Sequence, residues 1–184
     1  MSKNFHLYPM FFSRLKTKAL NFVAIFYEKI GNEHLSFKYY LLAAERSLTS
    51  AQFNVFASYD LEENYVDAFN WLKASAEQGY ALSYFHLGYY YENGHGVKKD
   101  LNKALHWYTK SAELGGPNAQ YALARIFSSE SVGINDLSKA YQWICTSLTY
   151  PDVKNIHRSI FEEFQQLRIE IEERMAVSKV TFNW

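Results

Sequence analysis

The sequence predicts an all-α fold, a right-handed α-α superhelix of about four stacked helical hairpins closed by a C-terminal helix. Three observations carry this expectation. Trp71, Trp107 and Trp143 stand 36 residues apart each time, and self-similarity at a fixed period of that length marks a repeat architecture. Glycines recur where a helix has to stop, at Gly79, Gly94 and Gly115, because glycine adopts the positive φ of a helix terminus at little steric cost. Small residues recur where neighbouring helices have to approach, at Ala104, Ala112 and Ala119.

The surroundings of the tryptophans repeat with them. Ala68-Phe69-Asn70-Trp71, Ala104-Leu105-His106-Trp107 and Ala140-Tyr141-Gln142-Trp143 are three versions of one pattern. Asp100-Leu101-Asn102-Lys103 matches Asp136-Leu137-Ser138-Lys139, and Ala76-Glu77-Gln78-Gly79 matches Ala112-Glu113-Leu114-Gly115. An earlier copy appears with Tyr39 in the tryptophan position, 32 residues before Trp71, the shortening falling between Tyr59 and Val66. Each copy reads as two short helices. In the clearest one, the first helix runs from about Ser83 to Tyr91 and stops at Asn93-Gly94-His95-Gly96. The second starts at Asp100, a side-chain N-cap, and runs to Ala112 before Gly115. Trp107, Leu105 and Tyr108 are expected to fill the space between layers, since one such pair cannot bury its own apolar faces.

The ends follow from the same reasoning. Residues 1–32 form an N-terminal helix: Arg14, Lys16 and Lys18 precede the apolar run from Ala19 to Tyr27, but Asn21 interrupts it and Glu28-Lys29 end it, which suits an amphipathic helix better than a signal peptide or a membrane span. Residues 33–150 hold the repeats. Pro151 and Asp152 open a capping helix over 151–176, in which Ile156, Ile160, Phe164, Leu167, Ile171 and Met175 line one face. Residues 177–184 are left as a tail. A length of 184 residues suits one domain throughout.

Composition narrows the function. Lys plus Arg and Asp plus Glu number 19 each, so no global field draws the chain to nucleic acid or an anionic membrane, and neither is expected as a partner. Cys145 is the only cysteine, which excludes an intramolecular disulfide framework and fits a reducing cytoplasm. The chain carries 15 tyrosines and 14 phenylalanines, aromatic area that packing or a binding face has to absorb. The histidines have no metal-ligand spacing, and no nucleophile elbow or phosphate loop is present, so neither catalysis nor a metal or other cofactor is expected. The adjacent pairs Glu162-Glu163 and Glu172-Glu173 point about 100° apart on a helix and do not converge on one atom.

The stretch from Tyr84 to Asp100, continued by Lys103-Ala104, Trp107-Tyr108 and Ser111-Ala112-Glu113-Leu114-Gly115, resembles the Sel-one-like repeat, a relative of the tetratricopeptide repeat. The resemblance covers roughly 33–150 and is strongest over 68–122. It carries the leucine-glycine pair Leu87-Gly88, the turn Gly94-His95-Gly96-Val97 and the core of Ala104 with Trp107. The copy from Ala119 has Ser128-Ser129-Glu130-Ser131-Val132-Gly133 in place of the paired-glycine turn, and Phe56 stands where the copy from Ala51 should have glycine. The resemblance implies a non-enzymatic scaffold that binds another protein, most concretely a bacterial immunity protein neutralising a secreted toxin, with a general regulatory adaptor as the alternative. A hydrolase like the cysteine-rich exported relatives is the remote alternative, against which the single cysteine speaks.

In a tetratricopeptide-like stack the first helix of each repeat lines the concave side. Counting from Ser83, positions one, five and nine (Ser83, Leu87, Tyr91) enter the core. Positions four, seven and eleven then present His86, Tyr89 and Asn93, with Asn54 before them and Arg125 after. Tyr, His, Asn and Arg are the chemistry of a protein-recognition face. A second candidate is the acidic loop of Asp60, Glu62, Glu63 and Asp67, which suits a basic partner.

Overall fold

The computed structural model describes residues 7–129, 136–149 and 158–181. Among these residues the structure is helical: α1 Leu7–Lys29, α2 Glu33–Ala44, α3 Thr49–Leu61, α4 Tyr65–Glu77, α5 Leu82–Asn93, α6 Leu101–Glu113, α7 Pro117–Ser128, α8 Leu137–Thr149 and α9 Arg158–Thr181. The chain divides into two compact units, Met1–Asp100 and Leu101–Trp184.

In the first unit α1 pairs with α2 and α3 with α4, while α2 on α3 and α4 on α5 join one pair to the next. The helix boundaries follow from short-range chemistry. Asn32 accepts a hydrogen bond from the Leu35 amide at 3.1 Å, and Asn64 accepts one from the Asp67 amide at 3.5 Å, each satisfying an amide that a helix start leaves open. Helix ends use the left-handed region at Gly31, Ser47, Glu63, Gly79 and Gly94. A second role falls on Gly96, where a Cβ would stand 2.0 Å from the Tyr65 carbonyl oxygen. The paired glycines therefore do different work: Gly94 ends α5, and Gly96 lets the following loop lie directly on the start of α4.

The core repeats in register. In the second helix of each pair Tyr40, Leu72, Tyr108 and Ile144 are buried, while Trp71, Trp107 and Trp143 are only half-buried. Of the three residues expected to fill the layer, Tyr108 is buried as expected, while Trp107 and Leu105 are half-buried. Consecutive helical residues point about 100° apart, so the buried spoke falls on the neighbour, and the indole lies at the flank with the Lys110 ammonium 4.5 Å from its ring centre. The first helices behave as expected, with Ser83, Leu87 and Tyr91 all buried.

Buried polar groups repeat as well. Gln52 donates to the Ala44 carbonyl at 3.3 Å, and Gln120, at the equivalent place, donates to the Ala112 carbonyl at 3.1 Å. Each glutamine ties the start of one repeat to the carboxyl end of the helix before it, satisfying a carbonyl the helix itself cannot. Ser83 donates to Ser75 Oγ at 2.8 Å, and Ser75 to the Thr49 carbonyl at 2.8 Å.

In the second unit α6, α7, α8 and α9 pack in sequence, with α9 also touching α7. Asp136 caps α8 by accepting from the Lys139 amide at 3.0 Å. That bond and the Lys139 ammonium hold its carboxyl below the usual range. On α9, Ile160, Phe164, Leu167, Ile171 and Met175 face the cluster built on Ala124, Ala140 and Ile144, Phe164 stacking on Tyr121 with ring centres 4.4 Å apart. Arg174 donates to the Ser128 carbonyl. Pro151, Asp152 and Ile156 lie outside the described residues, as do Glu130 to Gly133 of the α7–α8 turn. Helix α9 continues through Thr181, so Val177 to Thr181 are helical where a tail was expected.

The glycine geometry gives a direct test. Gly96→Ala combines a positive φ with a backbone clash and should destabilise by roughly 3 kcal/mol, whereas Gly31→Ala, with positive φ but open space around it, should cost about 1 kcal/mol. Urea unfolding of the two variants measures the contrast.

Candidate functional site

A groove of about 550 Å³ lies between α1, α2 and α3 in the first unit. Its walls come from helix ends. Glu28 belongs to the last turn of α1, Glu33 and His34 to the first turn of α2, and Glu62 follows the last turn of α3. Phe37 and Tyr40 project from α2, and Asn54, Ala57, Ser58 and Leu61 from α3. The Tyr40 hydroxyl donates to Glu28 Oε2 at 2.6 Å. Burial, this bond and the Glu28 charge together push the Tyr40 phenol well above its ordinary pKa, so it stays a donor and holds the carboxylate in place.

The other sequence-derived candidates take separate places. Asn54 lines the groove. His86 is half-buried, and its ring packs against Phe53, Phe56 and Phe85, with ring centres 5.4, 5.4 and 5.5 Å away. Burial lowers its pKa, against the opposing pull of the Asp60 charge. Tyr89 is exposed and meets His95 edge-on at 5.4 Å. The Asn93 amide is half-buried and donates to the Tyr89 carbonyl at 2.9 Å. Arg125 is exposed on α7, in the second unit.

The four carboxylates of the acidic loop also divide. Asp60 accepts a hydrogen bond from the Tyr90 hydroxyl, whose pKa burial and that bond raise. Asp67 sits in the first turn of α4 and accepts from Asn64 Nδ2 at 2.8 Å. Glu63 ends the α3–α4 turn with a φ of 57°. Glu62 alone among them lines the groove. Sequence reasoning missed Glu28, Glu33, His34, Phe37 and Tyr40 because it set residues 1–32 apart from the repeats. The available signal was Tyr40, which precedes Leu72 by the same 32 residues that separate Tyr39 from Trp71.

No group of histidine, cysteine, aspartate and glutamate able to hold a metal occurs among the described residues. No helix among them is long and apolar enough to cross a membrane. His95 packs against the rings of Tyr65, Tyr89 and Tyr90 and is a structural residue.

Stacked helical hairpins with a recurring core register define a helical-repeat solenoid, and the comparisons place it further. The Sel1 repeat matches residues 18–48, 49–80, 81–116 and 117–145. The chain belongs to the Sel1 repeat family, whose members generally serve as protein–protein interaction scaffolds. The first of these repeats takes in the second half of α1 and begins well before residue 33. Among solved structures, a Sel1 repeat protein from Oxalobacter formigenes is 28% identical with a TM-score of 0.66, over 72% of this chain and 58% of that one. The protein c5321, a protective antigen present in uropathogenic Escherichia coli strains and displaying an SLR fold, is 28% identical with a TM-score of 0.71, over 86% of this chain and 34% of that one. The chain thus spans about a third to three fifths of these two structures' length. No curated relative matches the sequence.

The half-buried His86 imidazole makes stability depend on pH. With its folded pKa lowered from an ordinary 6.5, His86 favours folding in its neutral form. Its contribution is complete above the unfolded-state value and is lost as pH falls from there toward the lowered folded value. The urea midpoint should therefore drop between about pH 7.5 and 5.5, and His86→Phe should drop less over the same interval.

Proposed function

We propose that this chain is a non-enzymatic binding protein of the cytoplasm, and that its finer role is to bind and neutralise a secreted bacterial toxin as an immunity protein. The observation that carries the binding reading is the surface that the repeats leave available. In the first unit the groove of α1 to α3 is open, with Asn54 in its wall, and Tyr89 is exposed on α5; in the second unit Arg125 is exposed on α7. Exposed tyrosine and arginine on rigid elements supply much of the energy of protein recognition. Such surfaces suit a role by occlusion, in which a partner's working surface is covered and no bond is made or broken.

Co-expression tests this reading. The toxin to use is the product of a large secreted-protein gene adjacent to the gene for this chain. Cells producing it should grow when they also produce this chain, and the two proteins should co-elute. Tyr89→Ala with Arg125→Ala should weaken that complex by about 2 kcal/mol or more per residue while leaving helicity intact. Growth arrest unrelieved by the chain, with no complex formed, contradicts the immunity role.

A further inference from the structure

The α1–α3 groove is acidic, and no basic side chain of the described residues neutralises it. Glu28, Glu33 and Glu62 line it against one histidine, His34. None of the three carboxylates takes part in an ion pair among the described residues. Helices α1 and α3 both end there, at Lys29 and Leu61, and α2 begins there at Glu33, so the partial charges of the helix ends oppose one another and the side chains set the charge of the groove. The Tyr40 hydroxyl fixes Glu28 from below at 2.6 Å, which lowers the ordering cost of recruiting that carboxylate to a ligand. Between the charges lie apolar surfaces, Phe37, Ala57 and Leu61, of the kind along which the methylene stem of a long basic side chain packs while its head stays among carboxylates. The volume, about 550 Å³, is within the range of sites that enclose a small ligand.

We propose that this groove binds a basic side chain, arginine or lysine, of a protein partner. The proposal rests on the reading of the chain as a protein-binding scaffold and names the chemistry its partner presents. Charge complementarity selects this occupant: an acidic or purely apolar segment leaves three carboxylates facing like-charged or uncharged surface, whereas a cation satisfies them, and a guanidinium can bond two carboxylates at once.

The test uses the full chain, labelled with nitrogen-15, and the probe acetyl-Gly-Arg-Gly-amide, with the neutral citrulline analogue as its control. The arginine peptide should give saturable shifts confined to amides of residues 28–40 and 54–62, and citrulline should give none. The triple variant Glu28→Gln, Glu33→Gln, Glu62→Gln should keep the parent's circular dichroism and lose affinity by about tenfold or more. Absence of saturable shifts, equal binding of citrulline, or an unchanged affinity in the triple variant overturns the proposal. Co-elution with a cognate toxin gives a separate readout. If the triple variant retains the toxin as tightly as the parent does, the groove assignment is wrong and the scaffold reading stands. If the parent binds the arginine peptide in the groove but holds no protein partner, the scaffold reading is what fails.

Discussion

The structure depends on one constraint: a single helical hairpin of this sequence has no core of its own. Its apolar residues are buried only when the next hairpin covers them. Within the first unit, Tyr40 and Leu72 occupy the same register of successive second helices, and both are buried with alanines around them, Ala43, Ala44, Ala68 and Ala76. Within the second unit Tyr108 and Ile144 do the same among Ala104, Ala112 and Ala140. Small residues bring the helix axes close, and one large residue per helix fills the space that remains. The same geometry accounts for the glutamine bonds of Gln52 and Gln120, which satisfy helix-end carbonyls only because the next repeat is in contact.

Function follows from where that regularity is interrupted. In the third repeat the loop after α5 is long, and Gly96 allows it to fold against Tyr65. In the second, the connection between α3 and α4 spans only residues 62–64, and the end of α3 contributes to an open groove. Glu28 and Glu62 cap no helix start and make no ion pair among the described residues, whereas Glu33, like Asp67, stands in the first turn of a helix. Charge of one sign held on rigid helix ends, with apolar surface between, is a feature that folding does not require. Binding gives it a use.

Much of the fold was legible because the repeat imposes a period on the sequence. The spacing of Trp71, Trp107 and Trp143 located the second helices, and Ser83, Leu87 and Tyr91 were identified correctly as the buried face of a first helix. What was not legible has physical causes. The tryptophans are the most distinctive residues, yet the residues that follow them, Leu72, Tyr108 and Ile144, are the fully buried ones, and of these only Tyr108 was expected in the core. His86 falls on an outward position by simple counting, but three phenylalanines, Phe53, Phe56 and Phe85, gather around it, two of them from the preceding repeat. The groove was missed because α1 carries no tryptophan or paired glycine to mark it as half of a repeat. Its partnership with α2 shows in three dimensions, through Ala24 buried in a cluster with Tyr40, Ala43 and Ala44.

The central claim is that hairpins are stabilised by their neighbours, and native-state hydrogen exchange on Leu72→Ala tests it most directly. Leu72 is fully buried on α4, and its truncation should cost roughly 2–5 kcal/mol. If the hairpins depend on one another, protection should fall in α2, α3 and α5 as well as in α4, by comparable amounts. A loss of protection confined to α4, with α2 and α5 exchanging as in the parent, would contradict the account.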